Sequence, residues 1–199
     1  MDETRSLIEW EFAASVAGYL AHALDHARID AWAGDPPPLI ICESRTFGGV
    51  LKRTLAGEYL CPVTATNGQV GGFLHTNVAP VLAGNARRVL YIGDLDHQGR
   101  QIEENTRRVL VRETGEREWQ RIALTADQAE EHGLEPVAKE DRRYNPPQAG
   151  WAIEVEALGQ GVVTRLVRDA LDALLPEPLG DVQDRLQVQR DEWKERLDG

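Results

Sequence analysis

Apolar positions follow two different periods along this chain, and the changes of period mark its elements. From Leu7 to Ala33 they recur at helical spacing, through Leu7, Ile8, Phe12, Val16, Leu20, Leu24 and Ile29. That is the stripe of an amphipathic helix. Gly34-Asp35-Pro36-Pro37-Pro38 then stops it and opens an extended segment. Leu39-Ile40-Ile41-Cys42 and Val89-Leu90-Tyr91-Ile92-Gly93 are instead unbroken apolar runs. Runs of this kind fit strands buried on both faces, as in a parallel sheet.

Between and after these runs the same reading predicts a helix from Val50 that ends at Gly57. A strand over 59–66 follows, with Asn67-Gly68 as its turn, and then a short irregular helix over 70–82, interrupted by Pro80. A helix is expected from Arg100 to Thr114, a strand from Trp119 to Leu124, and a further helix opened by the capping box of Thr125 and Gln128. The Pro- and charge-rich stretch 135–150 reads as a surface loop, and 151–158 as a half-exposed strand. An amphipathic helix over 161–175 breaks at Pro176. A charged helix over 181–197 follows, with a thin seam of Val182, Leu186, Trp193 and Leu197. Strands alternating with helices predict an α/β fold with a mainly parallel sheet flanked by helices. The expected organisation is an N-terminal helical extension (1–38), an α/β domain (39–175) and a C-terminal helix (176–199).

Composition narrows the function classes. Of 199 residues, 42% are hydrophobic, enough for a sizeable core. No apolar stretch approaches the roughly 18 residues that span a bilayer, and the acidic N-terminus lacks a signal-peptide pattern. A cytoplasmic protein without membrane partners is expected. Cys42 and Cys61 each lie in or beside an apolar strand and read as buried thiols. The net charge of −11 argues against a tight, non-specific DNA binder, though not against a local basic rim.

Candidate chemistry sits where the apolar runs end. Glu43 closes one run, and Asp94-Leu95-Asp96 closes the other. Ligands of parallel sheets bind beyond the carboxyl ends of the strands. Three carboxylates meeting there would repel unless a cation lay between them. Mg²⁺ or Mn²⁺ suits hard oxygen ligands of this kind. Arg100, at a helix start just past the aspartates, is the best candidate for a phosphate contact, with Arg45 and Lys139 beside it. His22 and His26, four apart, lack a Glu in the zinc-enzyme pattern and read as exposed helix residues. Gly68-Gln69-Val70-Gly71-Gly72 reads as a plain glycine-rich turn.

Ile41-Cys42-Glu43 together with Ile92-Gly93-Asp94-Leu95-Asp96-His97-Gln98-Gly99 resembles the Toprim domain of topoisomerases, primases and several nucleases. The nearer likeness is to the topoisomerase VI A subunit, the meiotic double-strand-break transesterase and phage or plasmid Toprim proteins. Arg121-Ile122-Ala123-Leu124-Thr125 with Gln128 resembles their "R-x-A-L-T-x-x-Q" segment. Lys139 to Arg142 resembles their basic loop, and Glu154 to Leu158 their "E-I-E-A-L" strand. The likeness spans roughly residues 39–175.

The resemblance implies a Rossmann-like Toprim fold in which Glu43 acts as general acid/base or metal ligand and Asp94 and Asp96 hold Mg²⁺. It leaves Glu156 open between shaping the acidic pocket and standing as an exposed strand acid. It also implies DNA, ahead of RNA, as partner, and a homodimer or a winged-helix or ATPase partner protein. Those relatives attack DNA with a tyrosine on an upstream winged-helix domain. The residues before the first strand are too few for such a domain, and Tyr91 and Tyr59 read as core. The expectation is therefore a Mg²⁺- or Mn²⁺-dependent nuclease using activated water. The alternative is a non-catalytic Toprim module that binds metal and nucleic acid or a partner subunit.

Overall fold

The computed structural model describes residues 13–66, 71–141 and 148–198. Its strands are β1 (Leu39–Cys42), β2 (Val63–Ala65), β3 (Val89–Ile92), β4 (Leu95–Asp96), β5 (Trp119–Ala123), β6 (Val137–Asp141) and β7 (Gln148–Ile153). The helices are α1 (Val16–Asp25), α2 (Arg45–Leu51), α3 (Gly57–Tyr59), α4 (Gly71–Phe73), α5 (Ala79–Leu82), α6 (His97–Thr114), α7 (Ala126–Glu131), α8 (Gln160–Asp172) and α9 (Leu179–Asp198). Wider π-helical turns, Lys52–Ala56 and Leu74–Val78, join α2 to α3 and α4 to α5.

The chain divides into two compact units, Ala31–Pro176 and Met1–Asp30 with Glu177–Gly199. In the larger unit, four parallel strands form a sheet in the order β2-β1-β3-β5. Every residue of β1 and β3 is buried, as the unbroken apolar runs require of central strands. Leu39, Ile41 and Tyr91 share one face with Leu74, Val78 and Leu82 and with Leu110 of α6. The alternate residues Ile40, Cys42, Leu90 and Ile92 project to the other face, where α2 and α8 pack and bury Phe47, Leu51, Val163 and Val167. The fold is thus α/β, a parallel sheet between layers of helices, as expected. Each fully buried Leu or Ile contributes roughly 1.5–3 kcal/mol, so the two central strands anchor the unit.

Polar contacts fasten α8. Arg168 makes a bidentate pair with Glu58, both bonds at 2.9 Å, and the Tyr59 hydroxyl donates to Asp172 Oδ1 at 2.6 Å. Both cysteines are buried and free, and burial pushes each thiol up to about 12. In the smaller unit, Lys194 pairs with Asp25 at 2.6 Å and Arg190 donates to the Ala27 carbonyl at 2.6 Å, tying α1 to α9. No described helix is long and apolar enough to cross a membrane.

Several boundaries differ from those expected. The first helix covers only Val16–Asp25, capped by the Ser15 hydroxyl, rather than 7–33; the expected turns before residue 13 lie outside the described residues. The helix after β1 begins at Arg45 rather than Val50, because Ser44 caps it and Gly48-Gly49 are absorbed inside it. Most of the expected strand 59–66 is lost, since Tyr59 ends a helix and Leu60 turns the chain at φ 55°. The largest departure is 135–150, expected as a loop. β6 and β7 pair antiparallel there, Lys139 facing Gly150, and β7 also pairs with β4. Three successive charges, Lys139-Glu140-Asp141, hide the period-2 pattern of β6, an edge strand of this sheet, and the uncharged Gln148-Ala149-Gly150 hides the start of β7.

Candidate active site

β1 and β3 run side by side with Cys42 opposite Ile92, and the Glu43 N–H donates to the Ile92 carbonyl at 2.8 Å. The next residue of each strand therefore leaves the sheet at the same edge. There the Asp94 N–H donates to Glu43 Oε2 at 3.2 Å. Gly93 allows this approach: a Cβ would stand 2.9 Å from that carboxylate oxygen and 2.8 Å from the Tyr91 ring. Gly99 is required for the same kind of reason. A Cβ there would lie 2.5 Å from the Asp94 carbonyl oxygen, so only glycine lets α6 start against the Asp94 turn.

Asp96 holds two positions at once. Its Oδ1 accepts the Gly99 N–H at 2.5 Å as the N-cap of α6, the role Asp is suited to. Its Oδ2 lies 2.8 Å from Lys139 Nζ; Asp96 is 4% exposed and Lys139 42%. Asp94 Oδ1 accepts the Val155 N–H at 2.9 Å, which ties the aspartate turn to the segment after β7. Helix α6 starts at His97 rather than Arg100, because Asp96 itself caps it.

Burial and crowding set the electrostatics. Burial, helped by the nearby Asp94 charge, raises the Glu43 carboxyl to about 7. Asp94 is raised as well, chiefly by burial, with Glu156 and Asp96 adding repulsion and the Val155 N–H opposing it. Lys139 is held up mainly by its bond to Asp96, with Asp94 and Glu154 reinforcing it. Neither Glu43 nor Asp94 forms an ion pair with a described residue, so this part of the site carries negative charge that only more distant cations balance.

Arg121 braces the aspartate turn from behind. Its guanidinium donates to the carbonyls of Gly93 at 2.8 Å, Asp94 at 2.6 Å and Leu124 at 2.9 Å, and pairs with Glu103. Trp119 Nε1 holds Glu103 from the other side at 2.9 Å, and the Arg121 guanidinium lies 5.6 Å from the centre of the Tyr91 ring. Just beyond β5, Gln128 completes the capping box with Thr125 and donates to the Ile122 carbonyl at 2.8 Å.

Of the residues singled out in the sequence, Glu43, Asp94 and Asp96 come to one edge of the sheet. Arg45 opens α2 and Arg100 lies in the first turn of α6; both are exposed and neither is ion-paired with a described residue. Lys139, expected to meet phosphate, lies at the same edge and is engaged with Asp96. Glu156 is exposed and within electrostatic reach of Asp94. Tyr59 and Tyr91 are fully buried, as expected of core residues; Tyr144 and residues 68–70 of the glycine-rich turn lie outside the described residues, while Gly71 and Gly72 of that turn open α4.

Sequence reasoning missed the bracing role of Arg121 and the polar end of Tyr91. An arginine inside a strand that ends in buried Ile122 and Ala123 was the available signal, because a charge there needs partners. The Tyr91 hydroxyl is buried with no hydrogen-bond partner among the described residues, and it lies 3.2 Å from where a Gly93 Cβ would stand, on the Glu43 side.

No group of three His, Cys, Asp or Glu among the described residues closes up as a metal-binding cluster. The three carboxylates are neighbours, not a finished ligand set, and Lys139 holds one of them. The donors still fit a hard divalent cation in chemistry and in charge. They are carboxylate oxygens with excess negative charge, beside the buried Tyr91 hydroxyl, which has no hydrogen-bond partner among the described residues. Glu43 and Asp94 are available to it as they stand, and Asp96 once Lys139 has left. Fold and site together define an α/β domain with acidic residues at the carboxyl ends of adjacent parallel strands. No family model, curated protein or solved structure matches the chain.

Proposed function

We propose that this chain is a Toprim-type domain that binds Mg²⁺ or Mn²⁺ through Glu43, Asp94 and Asp96 and hydrolyses phosphodiesters of DNA. The observation that carries this reading is the placement of Glu43 against Asp94 at the ends of two adjacent buried strands, with both carboxyls raised. A carboxyl near 7 divides its time between acid and base at neutral pH, which is the condition for passing a proton to and from a water. The divalent cation would supply charge neutralisation and polarisation of a phosphoryl oxygen. Arg45 and Arg100, free at two helix starts on this edge, would hold the flanking phosphates. Arg121 keeps the Asp94 turn rigid while this happens.

A second reading has its own observation. The Lys139–Asp96 pair already neutralises one carboxylate, and with a net charge of −11 this favours a module that binds metal, nucleic acid or a partner subunit without cutting. In either reading a second copy, or a winged-helix or ATPase protein, would complete an assembly. The deciding experiment incubates purified protein with supercoiled, linear and single-stranded DNA, with Mg²⁺ and Mn²⁺ supplied separately. Cleavage that disappears in Asp94→Asn, a variant that retains an acceptor for the Val155 N–H, supports the nuclease. Mn²⁺ binding without cleavage supports the module, and cleavage that survives in Asp94→Asn overturns the mechanism.

A further inference from the structure

The site contains two cations held in opposite ways. Arg121 is fixed by three carbonyls and a carboxylate, whereas among the described residues Lys139 touches the site through one ammonium–carboxylate bond of 2.8 Å. A planar guanidinium with several bonds is a permanent fixture; an ammonium on a flexible stem is not. Asp96 is almost wholly buried, and beyond the Gly99 N–H its partner among the described residues is the Lys139 ammonium.

Resting on the functional reading above, we propose that Lys139 is the resident counter-cation of this site, exchanged for the divalent ion when metal loads and restored when it leaves. Three features make the exchange feasible. Lys139 stands on the β6–β7 hairpin opposite Gly150, so no cross-strand side chain hems it in. It is already partly exposed. It also borders a cavity of about 400 Å³, lined by Glu135, Val137, Ile153 and Glu154, and Glu154 already attracts its charge. The released ammonium has a second acidic seat without crossing the domain. A divalent ion brings twice the charge to hard oxygens at shorter range, so it displaces a singly bonded ammonium. The two then compete for one carboxylate, and the competition is reciprocal.

Two measurements test the exchange. Calorimetric titration with Mn²⁺ compares wild type with Lys139→Met and Lys139→Gln, each first shown to be folded by circular dichroism. Removing the competitor is expected to tighten Mn²⁺ binding by about tenfold, within the usual range of coupling between competing ligands. On the unaltered protein, acetylation of Lys139 by acetic anhydride, followed by mass spectrometry with and without Mg²⁺, is expected to speed up when metal is present. This second arm holds even if both variants fail to fold. Unchanged or weaker Mn²⁺ binding in the variants, or acetylation of Lys139 indifferent to Mg²⁺, overturns the exchange while a metal-binding wild type preserves the functional reading. Absence of Mn²⁺ binding in wild type and variants alike sinks both.

Discussion

The two halves of the acidic site are built on different sheets and balance charge differently. Glu43 and Asp94 leave the parallel sheet, where buried strands fix their backbones, and their carboxyls are crowded and raised with no ion pair to a described residue. Asp96 belongs to β4 of the small antiparallel sheet, and the neighbouring hairpin delivers an ammonium to it. One half is strained electrostatically and rigid; the other is satisfied and can be opened. Acidic residues at a strand end thus do not define a finished site. What matters is which of them the fold leaves without a counter-charge.

The comparison depends first on the brace behind the parallel half. Arg121→Ala strips hydrogen bonds from three carbonyls and leaves the half-buried Glu103 without its counter-charge, held only by the Trp119 N–H among the described residues. It should destabilise the fold by about 3 kcal/mol in urea unfolding. A loss below about 1 kcal/mol would show that the aspartate turn holds itself.

A paired substitution then sets the halves against each other in metal-free protein. Asp96→Asn can still cap α6 but strands Lys139, and should lose about 1–2 kcal/mol. Asp94→Asn relieves repulsion with Glu43, Asp96 and Glu156, while the amide oxygen it introduces can still accept the Val155 N–H. That variant should gain up to about 1 kcal/mol. Equal losses from both would erase the distinction between crowded and balanced carboxylates.

The pH dependence sharpens the point. Glu43 titrates at about 7 in the folded chain against an ordinary 4.5, so between those values the folded state binds the extra proton. Metal-free stability should therefore fall as pH rises through that window and level off above it. Glu43→Gln should flatten the slope without abolishing it, because Asp94 is raised in the same sense. Thermal unfolding from pH 4 to 8 measures both curves, and a slope of opposite sign would contradict the crowding. The smallest effect belongs to Tyr91→Phe, which removes a buried hydroxyl with no partner among the described residues. Melting should show a gain of at most about 1 kcal/mol, and a loss would mean that the hydroxyl has a partner in solution.

Much of this was legible residue by residue. The apolar runs at 39–42 and 89–92 announced buried parallel strands, and the acids that close them do come to one edge of the sheet. Thr125 with Gln128 announced a helix start that the structure realises as a full capping box. The β6–β7 hairpin was invisible because its edge strand, β6, carries charge on both faces. With it went the true position of Lys139, which reads in the sequence as a free basic residue forty-three positions away from its carboxylate. Tyr91 was correctly read as core, yet its hydroxyl reaches toward Glu43, a direction that no strand period encodes.

Local patterning was therefore enough to establish the α/β class, the central strands and the identity of the acidic edge, because burial and capping act over a few neighbouring residues. The charge state of that edge had to await folding. Whether Glu43 and Asp94 are crowded, whether Asp96 is neutralised and whether Arg121 holds a turn all depend on groups distant in the chain and only a few ångströms apart in space, where Coulomb energies and desolvation are decided.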